Sequence, residues 1–391
     1  MNSKKKIVIG VVASAVVVAF VVGIISLTRT SGSSSSSSTT MRLGLEAPLT
    51  GSLSVLGKGM LEGAELAASQ LNAKGGILGK QVEIIPINDA GDATTGVAAA
   101  QKAIANGLDG VVGPYNSSVG VKTLPLYLKA GLVPIRLTSD NATDSMGFTL
   151  QPMTSQIAPA ASSALTTWLK ASSVAIIYDS TQNYTVTVAS SLKADLEKAG
   201  VKVTAYQPIT PGASSYTSVV TQVAATNPQV IYSAVYYPEG GLIAKEMYDG
   251  KITASCMVDY ASYDSAYITA AGIPAAQACP VVGVPAPQDF PHASSFVSTY
   301  QSTFHSAPGS WSPYTYDSAN FWAYGVTKAK SFNASAITSV LNVVNGWTGW
   351  TGPVTIEAST GNRQPATVVI NSVTAKGTFI IDADWAKAVS Y

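Results

Sequence analysis

Three short segments hold residue types suited to binding or catalysis. Gly113-Pro114-Tyr115-Asn116-Ser117-Ser118 follows the apolar run Gly110 to Val112 and precedes an amphipathic stretch, Val119 to Ala130. A loop at the carboxyl end of a parallel strand, just ahead of a helix, is where open α/β sheets take their ligands. Its hydroxyls and unpaired backbone N–H groups suit a carboxylate or similar anionic group; a plain helix N-cap by Ser117 or Ser118 is the competing reading. Tyr232-Ser233-Ala234-Val235-Tyr236-Tyr237-Pro238-Glu239 occupies the same kind of position further along, and Asp259-Tyr260-Ala261-Ser262-Tyr263 follows an apolar stretch ending at Val258. Tyrosine combines a broad apolar ring with one hydrogen-bonding tip, which suits it to gripping a small ligand. With 18 tyrosines in the chain, surface placement by chance competes at each one, and Asp259 reads equally as a helix cap.

Catalysis has little to work with. No His or Lys stands in a motif relation to Ser117 or Ser118, as an activated nucleophile requires. The chain has two histidines, His292 and His305, and two cysteines, Cys256 and Cys279, too few for a histidine-based centre or a metal cluster. Gly75-Gly76-Ile77-Leu78-Gly79 follows a helix pattern and precedes a strand, the reverse of a dinucleotide-binding loop, so it reads as a helix stop and turn. No enzyme, metal or cofactor is expected.

The elements that must position these loops alternate. Strand patterns at Arg42 to Leu45, Val82 to Ile87, Gly110 to Val112 and Val133 to Leu137 are separated by helix patterns at Gly57 to Asn72, Ala93 to Asn106 and Val119 to Ala130. A second series runs from a helix at Ser155 to Lys170 through strands at Val174 to Tyr178, Val201 to Tyr206, Val230 to Ser233 and Ala254 to Val258, with helices at Tyr184 to Ala199, Ser215 to Ala225 and Gly240 to Tyr248 between them. Such alternation predicts two mostly parallel sheets covered by helices, two α/β lobes with a cleft between. Beyond Pro285, helices are expected at Ala293 to His305, Tyr314 to Lys330 and Ala334 to Val344, then short strands near Val354 to Ile356, Thr367 to Ile370 and Phe379 to Ile381.

Lys4, Lys5 and Lys6 precede an apolar run from Ile7 to Leu27, long enough as a helix to span the roughly 30 Å of a bilayer core. Lysines ahead of it predict residues 1–6 as a cytoplasmic tip, residues 7–27 as an uncleaved membrane anchor or else a processed signal, and export of the rest. Residues 28–40, mostly Ser and Thr, read as a flexible stalk. Asn116, Asn141, Asn183 and Asn333 head sequons open to glycosylation outside the cytoplasm. Charged residues make up 12% of the chain, and 23 Lys and Arg nearly cancel 22 Asp and Glu. No basic face of the kind nucleic acid requires is expected. Polarity carried by Ser, Thr, Asn and Tyr fits an exposed, acid-tolerant surface protein, or else a lineage bias in composition.

From Met41 onward the sequence resembles the type I periplasmic solute-binding proteins, specifically the leucine/isoleucine/valine-binding family that serves ABC importers. The resemblance rests on Leu49-Thr50-Gly51 with Gly57, Gly63-Ala64-Glu65-Leu66-Ala67, Leu71-Asn72-Ala73-Lys74-Gly75-Gly76-Ile77-Leu78-Gly79-Lys80 and Asn88-Asp89-Ala90-Gly91-Asp92. It extends through Gly113 to Ser118, Tyr236-Tyr237-Pro238-Glu239, Tyr316-Asp317 and Gly352-Pro353. It implies two Rossmann-like lobes joined by three crossovers, lobe one from residues 41–157 plus about 285–362 and lobe two from 158–284 plus about 363–391. It further implies an extracytoplasmic protein at the cell surface that captures an amino acid or small amide-like solute and delivers it to ABC permease subunits; a surface sensor or a structural cell-surface protein on the same fold is the alternative. By the same resemblance Ser117, with Ser118 next to it, binds the ligand carboxylate, and Ser139 and Asn141 stand alongside. Tyr184 and Tyr236 close over the ligand, and the loop Asp259-Tyr260 supplies a carboxylate for an α-ammonium group. Ser139-Asp140-Asn141 departs from the family's usual Ala/Thr pattern, and Asp259 aligns only with a one-residue shift. Gly91 and Asn116 fall near the family's lobe-one disulfide, and Cys256 and Cys279 are the pair available for another, which an exported location would permit.

Overall fold

The computed structural model describes residues 39–291 and 293–391. The expected anchor at Ile7 to Leu27, the cytoplasmic tip and most of the stalk lie outside the described residues. No helix among the described residues is long and apolar enough to cross a membrane.

Four parallel strands form the first sheet. In chain order they are β1 (Thr40–Ala47), β2 (Gln81–Asn88), β3 (Gly110–Val112) and β4 (Pro134–Ile135), arranged β2-β1-β3-β4. The second sheet comprises β5 (Ser173–Asp179), β6 (Lys202–Ile209), β7 (Val230–Ala234), β8 (Ser255–Val258) and β9 (Val281–Gly283), all parallel to their neighbours. A small antiparallel sheet of β10 (Asn345–Gly349), β11 (Gly352–Glu357) and β12 (Asn362–Arg363) leans on the first sheet through a bridge between Thr149 and Asn362. Finally β13 (Val369–Val373) and β14 (Phe379–Ile381) add antiparallel to the edge at β9, giving the order β14-β13-β9-β8-β7-β5-β6.

Central strands buried on both faces need continuous apolar runs rather than alternation. β7, Val-Ile-Tyr-Ser-Ala, is buried at every position, and β5 buries Val174 through Ile177. The sheet at β1 is covered by the helix Ser54–Ala73, which buries Leu56, Met60, Ala64 and Ala67 along one face and packs on the helix Ser312–Ala329. Their close approach depends on Gly63, where a Cβ would lie 2.3 Å from the Ser312 carbonyl oxygen. The chain passes between the two main sheets three times: through the helix Thr154–Ser163 on the way to β5, from β9 to the helix Ala293–Phe304, and from β12 to β13.

The alternation of strands and helices agrees with the sequence pattern. Where it differs, the elements are short. β9, β10 and the helices Ser265–Ala271 and Ala383–Val389 have too few residues to establish a period, and the helix predicted to run to Lys170 ends at Ser163 and continues as a wider, π-type turn over Ala164–Trp168. Cys256 and Cys279 form a disulfide joining β8 to the segment before β9. Gly75, Gly76 and Gly79 all adopt positive φ after the helix Ser54–Ala73, as a helix stop and turn requires.

Candidate functional site

Parallel strands place their carboxyl ends on one side, and the loops leaving both sheets converge in the cleft. After β3, Gly113 turns with φ +97°; a Cβ there would lie 2.1 Å from the Glu46 carbonyl oxygen, so only glycine fits. The turn delivers Tyr115 and Ser117 to the cleft at the start of the helix Ser117–Lys129. The loop after β4 brings Leu137 and Ser139. From the second sheet come Tyr184 after β5, Tyr236 after β7 and Tyr260 after β8. These seven side chains enclose an inner chamber of about 10 Å³, and none of them carries a charge. Tyr184 and Tyr260 are pushed well above the usual tyrosine range, first by burial, and remain neutral donors and acceptors at any ordinary pH.

The lobes touch across this chamber. Tyr115 and Tyr236 meet edge-on with ring centroids 6.3 Å apart, and Trp311, at the start of the helix Ser312–Ala329, packs against Tyr260 at 5.1 Å and Tyr115 at 5.4 Å. Hydrogen bonds clasp the rim. The Asn183 N–H donates to Ser118 Oγ at 2.8 Å, Thr187 Oγ1 to Asp140 Oδ2 at 2.8 Å, and the Tyr237 hydroxyl to the Ser52 carbonyl at 2.7 Å. The cleft is closed.

The structure gathers Ser117, Ser139, Tyr184, Tyr236 and Tyr260 around one chamber and leaves three expected residues outside it. Ser118 is part of the rim clasp. Asn141 lies in the crossover, where its amide donates to Asp144 and Ser155 and accepts from the Ser155 N–H. Asp259 is fully buried behind Tyr184: Oδ1 accepts from the Tyr184 hydroxyl at 2.9 Å and Oδ2 from the Tyr232 hydroxyl at 2.5 Å, with the Ala261 N–H also on Oδ1. Its carboxyl is raised by burial against the lowering effect of these donors. Asp259 therefore caps the short 3-10 turn Tyr260–Ser262 and orients Tyr184 without facing the chamber. Neither serine hydroxyl caps the helix at Ser117–Lys129; Asn116 holds the N-cap position, and Ser117 Oγ accepts instead from the Asp140 N–H.

Among the four sequons, burial corrects one. Asn116 has no exposed surface, so a glycan cannot be attached in the folded protein. Asn141 is half-buried with its amide engaged. Asn183 and Asn333 are exposed, the first clasped by Ser118 and the second capping the helix Ala334–Leu341.

Several contributors to the chamber lie outside the residues expected from the sequence. Tyr115 and Leu137 sit within two residues of Ser117 and Ser139, close enough to have been included. Gln151, fully buried, donates to the Leu137 carbonyl and to Ser139 Oγ, and Trp311 arrives from a segment remote in sequence. A larger cavity of about 380 Å³ lies elsewhere, beside Tyr316, Trp347 and Trp350. Its one carboxylate, Asp317, is committed to the Trp350 and Thr351 backbone N–H groups and the Thr351 hydroxyl, and the lining takes no residue from the two main parallel sheets.

This architecture has known counterparts. A leucine-binding protein LivK from Thermotoga maritima superposes with a TM-score of 0.81 at 20% identity, covering 88% of this chain and 98% of that one. LivJ from Streptococcus pneumoniae, a branched-chain amino acid transporter substrate-binding protein in complex with isoleucine, gives 0.78 at 20% identity, covering 87% and 97%. In sequence, the Leu/Ile/Val-binding protein BraC3 of Rhizobium johnstonii is 33% identical over 213 residues, 53% of this chain and 58% of that protein, so the match spans little more than half of the relative's length. An amino acid binding protein of Pseudomonas aeruginosa is 30% identical over 265 residues, 64% of this chain and 69% of its own. These relatives are binding proteins, not enzymes, in agreement with the lack of catalytic groups expected from the sequence. The periplasmic binding protein family profile matches residues 40–377, nearly the whole folded part, and the chain belongs to that family.

Proposed function

We propose that this chain captures an amino acid or small amide-like solute outside the cytoplasm and passes it to the permease subunits of an ABC importer, with residues 7–27 holding it at the membrane. One observation carries the reading: a single uncharged chamber receives the strand ends of both lobes, and the lobes are latched across it by residues from each side. With the lobes shut this chamber has room for about one water, so a solute enters with the lobes apart and, once enclosed, meets hydroxyls and rings but no activated nucleophile.

Lobe one receives the acceptor end of the solute. The Ser117 and Ser139 hydroxyls, with the first-turn N–H groups of the helix Ser117–Lys129, are suited to a carboxylate or amide oxygen. Lobe two receives the nitrogen. Because the Tyr184 hydroxyl donates its proton to Asp259, its oxygen lone pairs are left to accept from a solute N–H, with the Asp259 carboxylate behind it. Asp259 thus acts through Tyr184. The Leu/Ile/Val-binding and amino acid binding relatives support an amino acid as the solute class.

A thermal-shift screen of amino acids, amides and urea tests the reading, because a ligand that binds only the folded state raises Tm; a solute at about 100 times its Kd adds about 2.7 kcal/mol. A Tm that rises with a small amino acid or amide, and rises less for Ser117→Ala at the same concentration, supports it. A Tm unmoved by every compound counts against it.

A further inference from the structure

Outside the inner chamber, on the other side of the Tyr236 ring, lies an outer chamber of about 280 Å³ between the lobes. Ser52 and Gly91 face it from lobe one; Asp179, Gln182, Tyr236 and Glu239 face it from lobe two. Asp179 and Glu239 are buried carboxylates, 2% and 8% exposed, and no lysine or arginine lines the chamber. Each has one oxygen committed: Asp179 Oδ1 accepts from the Thr181 N–H and hydroxyl, Glu239 Oε1 from the Gly212 N–H at 3.0 Å. The second oxygen of each makes no hydrogen bond among the described residues.

One further group at this chamber wants a partner: Gln182 Oε1 is buried with no donor. Behind Gly91, outside the lining, lies the wholly buried Asn116, whose Oδ1 would be 3.5 Å from a Cβ at Gly91. Burial raises the Glu239 carboxyl, the Gly212 and Glu239 N–H groups lower it, and the charge on Asp179, which lines the same chamber, adds a smaller rise. A cation between the two carboxylates would offset their charge and occupy the free acceptors.

We propose that the outer chamber holds a cationic group carried by the solute itself, so that the solute is a basic amino acid with an amine at its far end rather than a branched aliphatic one. The inference rests on the solute-binding reading above and deepens it. The α-carboxylate meets Ser117 and Ser139 and the α-nitrogen meets Tyr184. An aliphatic stem of about three or four methylenes runs beside the Tyr236 ring, which belongs to both linings. The terminal ammonium then lies between Asp179, Glu239 and Gln182.

Calorimetric titration of the full chain with L-lysine, L-ornithine, L-norleucine and L-leucine decides it. Norleucine matches lysine but lacks the terminal amine. The parent is expected to bind lysine or ornithine about tenfold or more tightly than norleucine. The ratio should fall toward unity in the Asp179→Asn, Glu239→Gln double variant, with each single variant intermediate and circular dichroism confirming the fold. Should the double variant not fold, the single variants decide by the same ratio. Norleucine or leucine binding as well as or better than the basic amino acids overturns the outer-chamber inference and leaves the solute-binding reading standing. Preference for lysine surviving all the variants overturns the assignment to Asp179 and Glu239. Binding of none of the four overturns the inference and counts against the amino-acid reading as well.

Discussion

The two lobes meet the cleft with different chemistry. Lobe one offers hydroxyls, a leucine, the single tyrosine Tyr115 and the start of a helix, and keeps its buried carboxylates Glu46 and Asp89 away from the inner chamber. Lobe two offers tyrosines, with Asp259 behind them and Asp179 and Glu239 beside them. The carboxylates are also kept differently. Asp259 is satisfied by two tyrosine hydroxyls and a backbone N–H. In lobe one, burial raises both Glu46 and Asp89, the charge on Asp89 raises Glu46 further, and each retains an oxygen with no donor. Burial pushes Asp259, Glu46 and Asp89 up, and hydrogen-bond donors from their neighbours lower each of them. A solute with an acid end and a nitrogen end therefore has one orientation in this cleft, acid toward lobe one and nitrogen toward lobe two.

The largest effect expected is on the satisfied carboxylate. Asp259→Ala removes the acceptor for two buried hydroxyls and should destabilise the protein by about 2–5 kcal/mol in denaturant titration, whereas Asp259→Asn, which keeps an acceptor, should lose less. Equal losses for the two would mean that packing, not hydrogen bonding, holds this corner.

The unsatisfied pair of lobe one shows itself through pH. Asp89 is pushed up to about 7, chiefly by burial, from an unfolded value of 3.8. The folded state then holds its proton more tightly than the unfolded chain, so its contribution is fully present below about pH 4 and is lost as pH rises through about 7, roughly a few kcal/mol in all. Asp264 and Asp317, each pushed up to about 6, act in the same direction. A higher Tm at pH 5 than at pH 8 is expected, with a shallower slope in Asp89→Asn. A Tm that climbs from pH 5 to pH 8 would show these carboxylates to be better solvated than their burial implies.

Smaller effects separate the chamber from the clasp. Ser117→Ala should weaken solute binding by about 1–3 kcal/mol, the cost of leaving a buried polar group without its partner. Ser118→Ala removes only the rim contact with Asn183, which is exposed, and should cost about 0.5–1.5 kcal/mol, seen as faster solute release. If Ser118→Ala proves the more damaging, the clasp and not the chamber dominates affinity.

The sequence carried the fold wherever a strand is a long apolar run, as at Val174 to Ile177, or a helix has a repeating face, as at Leu56, Met60, Ala64 and Ala67. The order of elements located Ser117, Tyr236 and Tyr260 at strand ends, whereas Ser139 and Tyr184 came from the family resemblance. Neither could show which way a side chain turns there. Asp259 points back to Tyr232 on the neighbouring strand, and Asn116 is a sequon by its triplet yet folds beneath the cleft wall. Trp311 was beyond reach, since its packing on Tyr115 and Tyr260 exists only after distant segments meet.

The central claim is that the solute is gripped from both sides and that lobe two, through Tyr236, draws the cleft shut. A ligand shifts an open–closed equilibrium only by its differential affinity for the two states. Small-angle scattering on the parent and on Tyr236→Ala, each with and without saturating solute, measures this directly. The account predicts that the parent contracts on binding while Tyr236→Ala binds more weakly and contracts less. A variant that binds and closes like the parent, or a parent whose dimensions do not change at saturation, would contradict it.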